Sequence, residues 1–182
     1  LRREAMGRTV LNTFAYTGSL GVAAAAGGAT RVVQVDRSPR FLELARRSME
    51  LNGLAVGRGD LQPTDFFVAA SRMRRENRLF DLVIVDPPAF IKNRREVNQG
   101  LKGYRKLARL AAQVIAPGGV LFIASCSFHA ELASFVQAVA GGLMDAGRQG
   151  RILKASGAAP DHPVHPQLPE TSYLKALTLV VD

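Results

Sequence analysis

Apolar positions along the chain follow two rhythms: short continuous runs, and longer stretches in which they recur every three or four residues. That alternation predicts a parallel α/β sheet. Residues 9–12 read as a first buried strand, followed by a glycine-containing turn and a small-residue helix over 20–26. A second strand over 31–35 ends at Asp36. Ser38 then fits a helix N-cap with Pro39 at the first helical position, and Asn52-Gly53 closes that helix. A weak strand is expected near Ala55-Val56, and a helix over 66–75. Residues 80–85 form the clearest central strand, stopped by Pro87 and Pro88, which cannot donate to a sheet ladder. Residues 98–115 carry Leu101, Tyr104, Ala108, Ala111, Ala112 and Ile115 at helical spacing, with basic residues mostly opposite. Pro117-Gly118-Gly119 then turns into a strand over 120–124. A final helix over 130–144 leads to strands at 151–153 and 173–181, joined by a Pro- and His-rich loop over 160–169.

At 182 residues with 47% hydrophobic side chains, the chain is long enough to bury the core of one domain. It holds no apolar run of bilayer length and no charged-then-apolar leader. It starts at Leu1 rather than Met, so a piece of a longer polypeptide is expected, one whose N-terminal part can carry a further domain or signal. The single cysteine, Cys126, excludes an internal disulfide framework and leaves too few thiols for a zinc cluster. No metal and a reducing, cytoplasmic setting are therefore expected.

Charge changes the picture because of where it sits. The stretch 92–109 holds seven basic residues against Glu96 alone, a net of +6, and 72–78 holds four arginines against Glu76, a net of +3. These two segments account for the whole formal charge of +9. Clustered cations either solubilise a face or attract a polyanion such as RNA. Charge alone favours neither reading.

Ligands of open α/β sheets bind beyond the carboxyl ends of the strands, and four such ends carry suggestive chemistry. The turn from Asn12 to Gly21 has Tyr16 where a dinucleotide fingerprint needs glycine, which disfavours a pyrophosphate but leaves room for a nucleoside approached over Gly18. Asp36, at the end of the second strand, has the position of a carboxylate that accepts from ribose hydroxyls. Its bland role is a turn beside Ser38. Asp65 and Phe66 can meet an adenine amino group and ring, although Asp65 can equally cap the helix that follows. Asp86-Pro87-Pro88-Ala89-Phe90 leaves its strand extended and stiff, placing a carboxylate, carbonyls and an aromatic ring around a flat substrate. This last motif is the most specific of the four.

Together these residues resemble the class I S-adenosylmethionine (SAM)-dependent methyltransferases. Within them the chain is similar to the bacterial large-subunit (23S) ribosomal RNA cytosine-5 methyltransferases that carry an N-terminal PUA domain. The resemblance rests on Val10-Leu11-Asn12 with Phe14 and Tyr16-Thr17-Gly18, Val35-Asp36 with Ser38, Leu51-Asn52, Phe80-Asp81 leading to Asp86-Pro87-Pro88, Gly103-Tyr104, Pro117-Gly118-Gly119, Ser125-Cys126-Ser127, Asp161-His162-Pro163 and Tyr173-Leu174-Lys175. It implies a Rossmann-like, mostly parallel seven-stranded sheet with helices on both faces, one methyltransferase domain over 1–182, and SAM as cofactor. By that resemblance Phe14, Tyr16 and Gly18 serve the methionine and ribose side, Asp36 with Ser38 the ribose hydroxyls, Asp65 and Phe66 the adenine, and Asp86 both cofactor and substrate. Pro87, Phe90, Lys92, Tyr104 and Arg105 are the expected contacts for RNA. Two features depart from the family: the PUA domain and its following hairpin region are absent from these residues, and Ala89 stands where many relatives have lysine.

Cys126 follows the strand 120–124 and is expected at the same sheet edge as Asp86. A lone cysteine is often a small buried hydrophobe, but this one lies between two serines at a site-facing strand end. Carbon 5 of cytosine is a poor nucleophile, and a thiolate added to carbon 6 pushes electron density onto it. Asp86 can share a proton at ring nitrogen 3. The base that removes the carbon-5 proton has no candidate in the sequence. The target must be unpaired or turned out of its helix, with the basic segment 98–115 holding flanking phosphates. His162 is a weak site candidate. Three rivals stand beside this reading: methylation of an exocyclic amino group, which needs no thiol; a cofactor-binding module inactive without an N-terminal RNA-recognition part; and a dinucleotide dehydrogenase, disfavoured by Tyr16. Oligomeric state stays open, with a homodimer compatible.

Overall fold

The computed structural model describes residues 1–182. A helical turn α1 (Arg2–Ala5) precedes strand β1 (Thr9–Thr13) and helix α2 (Ser19–Ala26). The strand-then-helix unit repeats as β2 (Arg31–Asp36), α3 (Pro39–Leu51), β3 (Leu61–Pro63), α4 (Phe66–Arg75) and β4 (Phe80–Val85). A 3₁₀ turn at Arg94–Glu96 opens α5 (Val97–Ala112), followed by β5 (Ile115–Ser125), α6 (Leu132–Asp145), β6 (Gly150–Ser156) and β7 (Lys175–Val181). No helix is long and apolar enough to cross a membrane.

The seven strands form one sheet in the order β3-β2-β1-β4-β5-β7-β6. The first five neighbours are parallel, while β7 runs antiparallel to both β5 and β6. This is the mostly parallel seven-stranded architecture expected from the sequence. The period-two alternation of a strand explains how β4 serves two cores. Val83 and Val85 join the large cluster under α4, α5 and α6, while Leu82 and Ile84 join a smaller one with Ala5 of α1 and Ala24 of α2. Each fully buried aliphatic side chain of this kind contributes about 1.5–3 kcal/mol.

Ser38 caps α3 as expected, accepting the Phe41 N–H at 3.3 Å, with Pro39 in the first turn. Four expectations need correction. The third strand lies at 61–63, not near Ala55-Val56. Residues 57–60 are instead folded into a turn by Asp60, whose carboxylate accepts from Gly57 N–H at 2.8 Å and Arg31 Nε at 2.7 Å. This strand is short and at the sheet edge, where Pro63 is tolerated. Next, α5 ends at Ala112 rather than 115: the Val114 carbonyl accepts from Phe80 N–H, and Ile115 already pairs with Phe80 in β5. Pro117-Gly118 then sits within β5, at the register shift between Phe80 and Leu82, with Gly118 at φ +72°. Finally, the last strand begins at Lys175, two residues later than expected.

Candidate active site

The sheet order reverses between β1 and β4, each chain continuation leaving to opposite sides. A crevice therefore opens beyond the carboxyl ends of these strands. A cavity of about 860 Å³ fills it, within the usual range for small-molecule sites. Its walls come from the ends of β1 (Phe14, Tyr16), β2 (Asp36), β4 (Asp86, Pro87) and β5 (Cys126). The loops before α4 and between β6 and β7 close it with Asp65 and His162.

On one side of the crevice, the loop after β1 is held in an uncommon backbone shape. Phe14 and Tyr16 adopt φ values of 54° and 50°, a region that bulky residues rarely enter, and Gly18 follows at φ 83°. Asp36 helps hold this loop in place: its Oδ2 accepts the Tyr16 N–H at 2.9 Å, and its Oδ1 accepts the Ser38 N–H at 2.9 Å. Each oxygen keeps a further lone pair for a donor in the cavity. The Tyr16 ring meets Phe41 edge-on at 4.6 Å, and Phe14 meets Phe66 at 5.8 Å. Asp65 does cap α4, its Oδ1 accepting Phe67 N–H at 2.7 Å, yet it also faces the cavity. A carboxylate at the end of β2, a second acid farther along and aromatic surfaces between them match the hydroxyl, amine and ring chemistry of an adenosine. On these grounds the residues fit a nucleoside-bearing cofactor.

The other side is built around Asp86 and Cys126. Asp86 opens to the cavity, but the walls around it remove enough water to push its carboxyl up, against a smaller pull from His162. The Cys126 thiol, half-buried, donates weakly to the Pro87 carbonyl at 3.8 Å. Burial, and then the Asp86 charge, push this thiol up, while Lys175 pulls the other way. Lys175 Nζ donates to the carbonyls of Ser127 at 2.8 Å and Tyr173 at 2.9 Å. Its own ammonium is pushed down by burial.

Several expected site residues lie outside the cavity wall. Gly18 is buried in the turn, where a Cβ would stand 2.7 Å from Ala45 Cβ, so packing against α3 demands the glycine. Ser38 serves as the α3 cap and as a donor to Asp36. Tyr104 is fully buried, so direct contact with RNA is corrected: its hydroxyl receives the Ser125 Oγ hydrogen at 2.8 Å and lies 3.0 Å from Ser127 Oγ. Arg105 is a bidentate partner of Asp145, with both contacts at 2.7 Å. Lys92 is exposed beside the 3₁₀ turn, its N–H donating to Glu96. Sequence reasoning gave no role to Phe41 or Lys175, both of which line the cavity. A helix N-terminal turn facing the crevice was the available signal for Phe41. For Lys175 the signal is the pairing of β5 with β7, which sets it opposite Ser125.

A family model described as S-adenosylmethionine-dependent methyltransferase matches residues 1–146. The ribosomal RNA large subunit methyltransferase I of Erwinia tasmaniensis is 40% identical over 174 residues, covering 96% of this chain and 44% of that relative. The same-named protein of Aeromonas hydrophila is 40% identical over 173 residues, covering 95% and 44%. The chain thus spans less than half the length of these curated relatives. Among solved structures, a candidate methyltransferase complexed with SAH superimposes with a TM-score of 0.84 at 29% identity, covering 97% of this chain and 46% of that one. A candidate SAM-dependent methyltransferase from Streptococcus mutans gives 0.85 at 28%, covering 98% and 46%.

Proposed function

Because the chain belongs to the S-adenosylmethionine-dependent methyltransferase family, we propose that it methylates carbon 5 of a cytosine in large-subunit ribosomal RNA. This includes the finer resemblance, to cytosine-5 enzymes with a PUA domain, and a cytoplasmic location. The observation that carries the reading is the meeting of Cys126 and Asp86 at one cavity, with Sγ 3.8 Å from the Pro87 carbonyl.

S-adenosylmethionine, when bound, supplies an electrophilic methyl group. Phe14, Tyr16 and Asp36 would hold its methionine and ribose side, and Asp65 with Phe66 its adenine. Pro87 and Phe90 flank the flat cytosine, which enters unpaired. The Cys126 sulfur bonds to carbon 6, and the carbon 5–carbon 6 electron pair becomes available at carbon 5 while Asp86 holds a proton at nitrogen 3. Carbon 5 would take the methyl as the bond from the SAM sulfur breaks, leaving SAH. The carbon-5 proton would then pass to solvent, its bonding pair restoring the ring double bond while the carbon 6–sulfur pair leaves with the Cys126 thiolate. Burial raises the Asp86 carboxyl, which makes it a better holder of the nitrogen 3 proton than a freely solvated aspartate. Sharing it with the ring also reduces the negative charge that opposes thiolate formation at Cys126.

The test is to incubate the protein with large-subunit ribosomal RNA and methyl-labelled SAM, digest, and analyse by mass spectrometry. Labelled 5-methylcytidine is expected; label only on guanosine or adenosine, or none, overturns the cytosine reading. A second reading, methylation of an exocyclic amine, is favoured by the thiol being held protonated by burial and Asp86. Cys126→Ser separates the two. The cytosine reading expects a loss on the order of a thousand-fold in methyl transfer with SAH binding retained, whereas amine methylation expects an unchanged rate.

A further inference from the structure

The geometry points to a phosphate track between α4 and α5, along which the single-stranded RNA flanking the target nucleotide leaves the cavity. This rests on the proposed RNA substrate and adds the path that substrate takes. Neither α4 nor α5 contains an acidic residue. Lys102, Lys106 and Arg109 lie on one row of α5 by their spacing of four and three. That row faces α4, because Lys106 Nζ sits 4.5 Å over the Phe67 ring. On α4, Arg74 and Arg75 are exposed in the last turn. Arg105, one turn before Arg109, is paired with Asp145 of α6, whose charge also reaches Arg109, so Lys102 and Lys106 are the unmatched cations of the row.

Direction follows from topology. Both helices leave the carboxyl edge of the sheet and return to its amino edge, so their first turns stand at the cavity and their last turns away from it. Phe67 and Phe90 line the cavity, and Phe90 lies against α5, its ring 2.8 Å from where a Cβ on Gly103 would stand. The row therefore starts at the cavity mouth beside two aromatic rings, the combination that single-stranded nucleic acid favours. From Lys102 to Arg109 it runs about 10 Å along the helix axis. A merely solubilising helix looks different in this protein: on α3, Arg46 is tied to both Glu43 and Glu50. The α4–α5 cations have no such partners on their own helices.

The experiment measures anisotropy of a short unstructured oligoribonucleotide containing one cytosine, bound to the whole chain across a salt series. Arg74→Gln/Arg75→Gln and Lys102→Gln/Lys106→Gln are compared with Arg46→Gln/Arg47→Gln on α3, and SAH binding is followed by calorimetry. Each track variant is expected to lower the log–log salt slope by about 1.4 and affinity by about ten-fold, with SAH binding intact; the α3 variant is expected to change neither. Unchanged slopes in both track variants, equal losses in the α3 variant, or competition by polyglutamate as effective as by RNA would each overturn the track. Labelled 5-methylcytidine from a protein whose track variants bind normally would sink the track and leave the reaction standing. A wild-type protein that binds SAH and no RNA would sink both.

Discussion

The Tyr104 hydroxyl lies 3.0 Å from Ser127 Oγ, and through that serine a buried side chain of α5 fixes the loop carrying Cys126. Ser127 Oγ also accepts the Ile91 N–H at 3.2 Å, while Ser125 Oγ donates to Tyr104 and accepts the Ser127 N–H. The two segments that hold Asp86 and Cys126 are thus pinned to one phenol. Tyr104→Phe leaves two buried hydroxyls short of a partner, at a cost of about 1–3 kcal/mol. We expect a lower denaturant midpoint and a fall in the rate constant for methyl transfer larger than any change in SAH affinity. An unchanged rate in a folded variant would remove the positioning role.

Asp36 offers a separable test of the cofactor side. Its carboxylate accepts two backbone N–H groups, from Tyr16 and Ser38, and still faces the cavity. Asp36→Asn replaces one accepting oxygen by a donor, which opposes one of these N–H groups and a ribose hydroxyl. SAH affinity measured by calorimetry should fall at least about ten-fold. Full affinity would exclude Asp36 as a cofactor contact.

Gly21 tests the scaffold beneath that loop. It lies in the first turn of α2, and an added Cβ would stand 2.4 Å from Gln34 Oε1, which is itself buried and receives the Asn12 amide at 3.3 Å. Gly21→Ala should therefore push α2 off the sheet rather than stabilise the helix, lowering stability by about 1–3 kcal/mol in denaturant unfolding. A variant as stable as the parent would show that α2 has room to shift.

The fold was largely legible, because β1, β2 and β4 each carry a short β-branched or aliphatic stretch (Val10-Leu11, Val32-Val33, and 82–85) bounded by turn residues, the pattern of strands buried on both faces. What escaped depends on partners distant in sequence. Ala55-Val56 looks more strand-like than Leu61-Gln62-Pro63, but Asp60 gathers Gly57 and Arg31 and moves the strand downstream. Ile115 continues the apolar spacing of α5, and only its pairing with Phe80 draws it into β5. At the site, Asp36, Asp86 and Cys126 could be read because strand ends converge in this class of sheet. The left-handed backbone of Phe14 and Tyr16 could not, since neither residue type signals it. Nor could the Tyr104 network, whose members are separated by more than twenty positions.

The charges around Cys126 give a final prediction that stands apart from the identity of the RNA. Burial and Asp86 raise its pKa, so below that raised value the sulfur is a thiol, and its reactivity should climb as pH rises through it. The pH dependence of iodoacetamide alkylation, followed by mass spectrometry on the only cysteine, reports this midpoint directly. Asp86→Asn removes a nearby negative charge, so the midpoint should move down. Lys175→Met removes the opposing positive charge and should move it up, while also freeing the carbonyls of Ser127 and Tyr173 from their shared donor. Lys175→Arg keeps the charge and should restore most of the midpoint even where the two carbonyl contacts are imperfect. Shifts of Asp86→Asn and Lys175→Met in the same direction would show that loop displacement, not charge, governs the thiol. Opposed shifts would identify Asp86 and Lys175 as the pair that sets when Cys126 becomes a nucleophile.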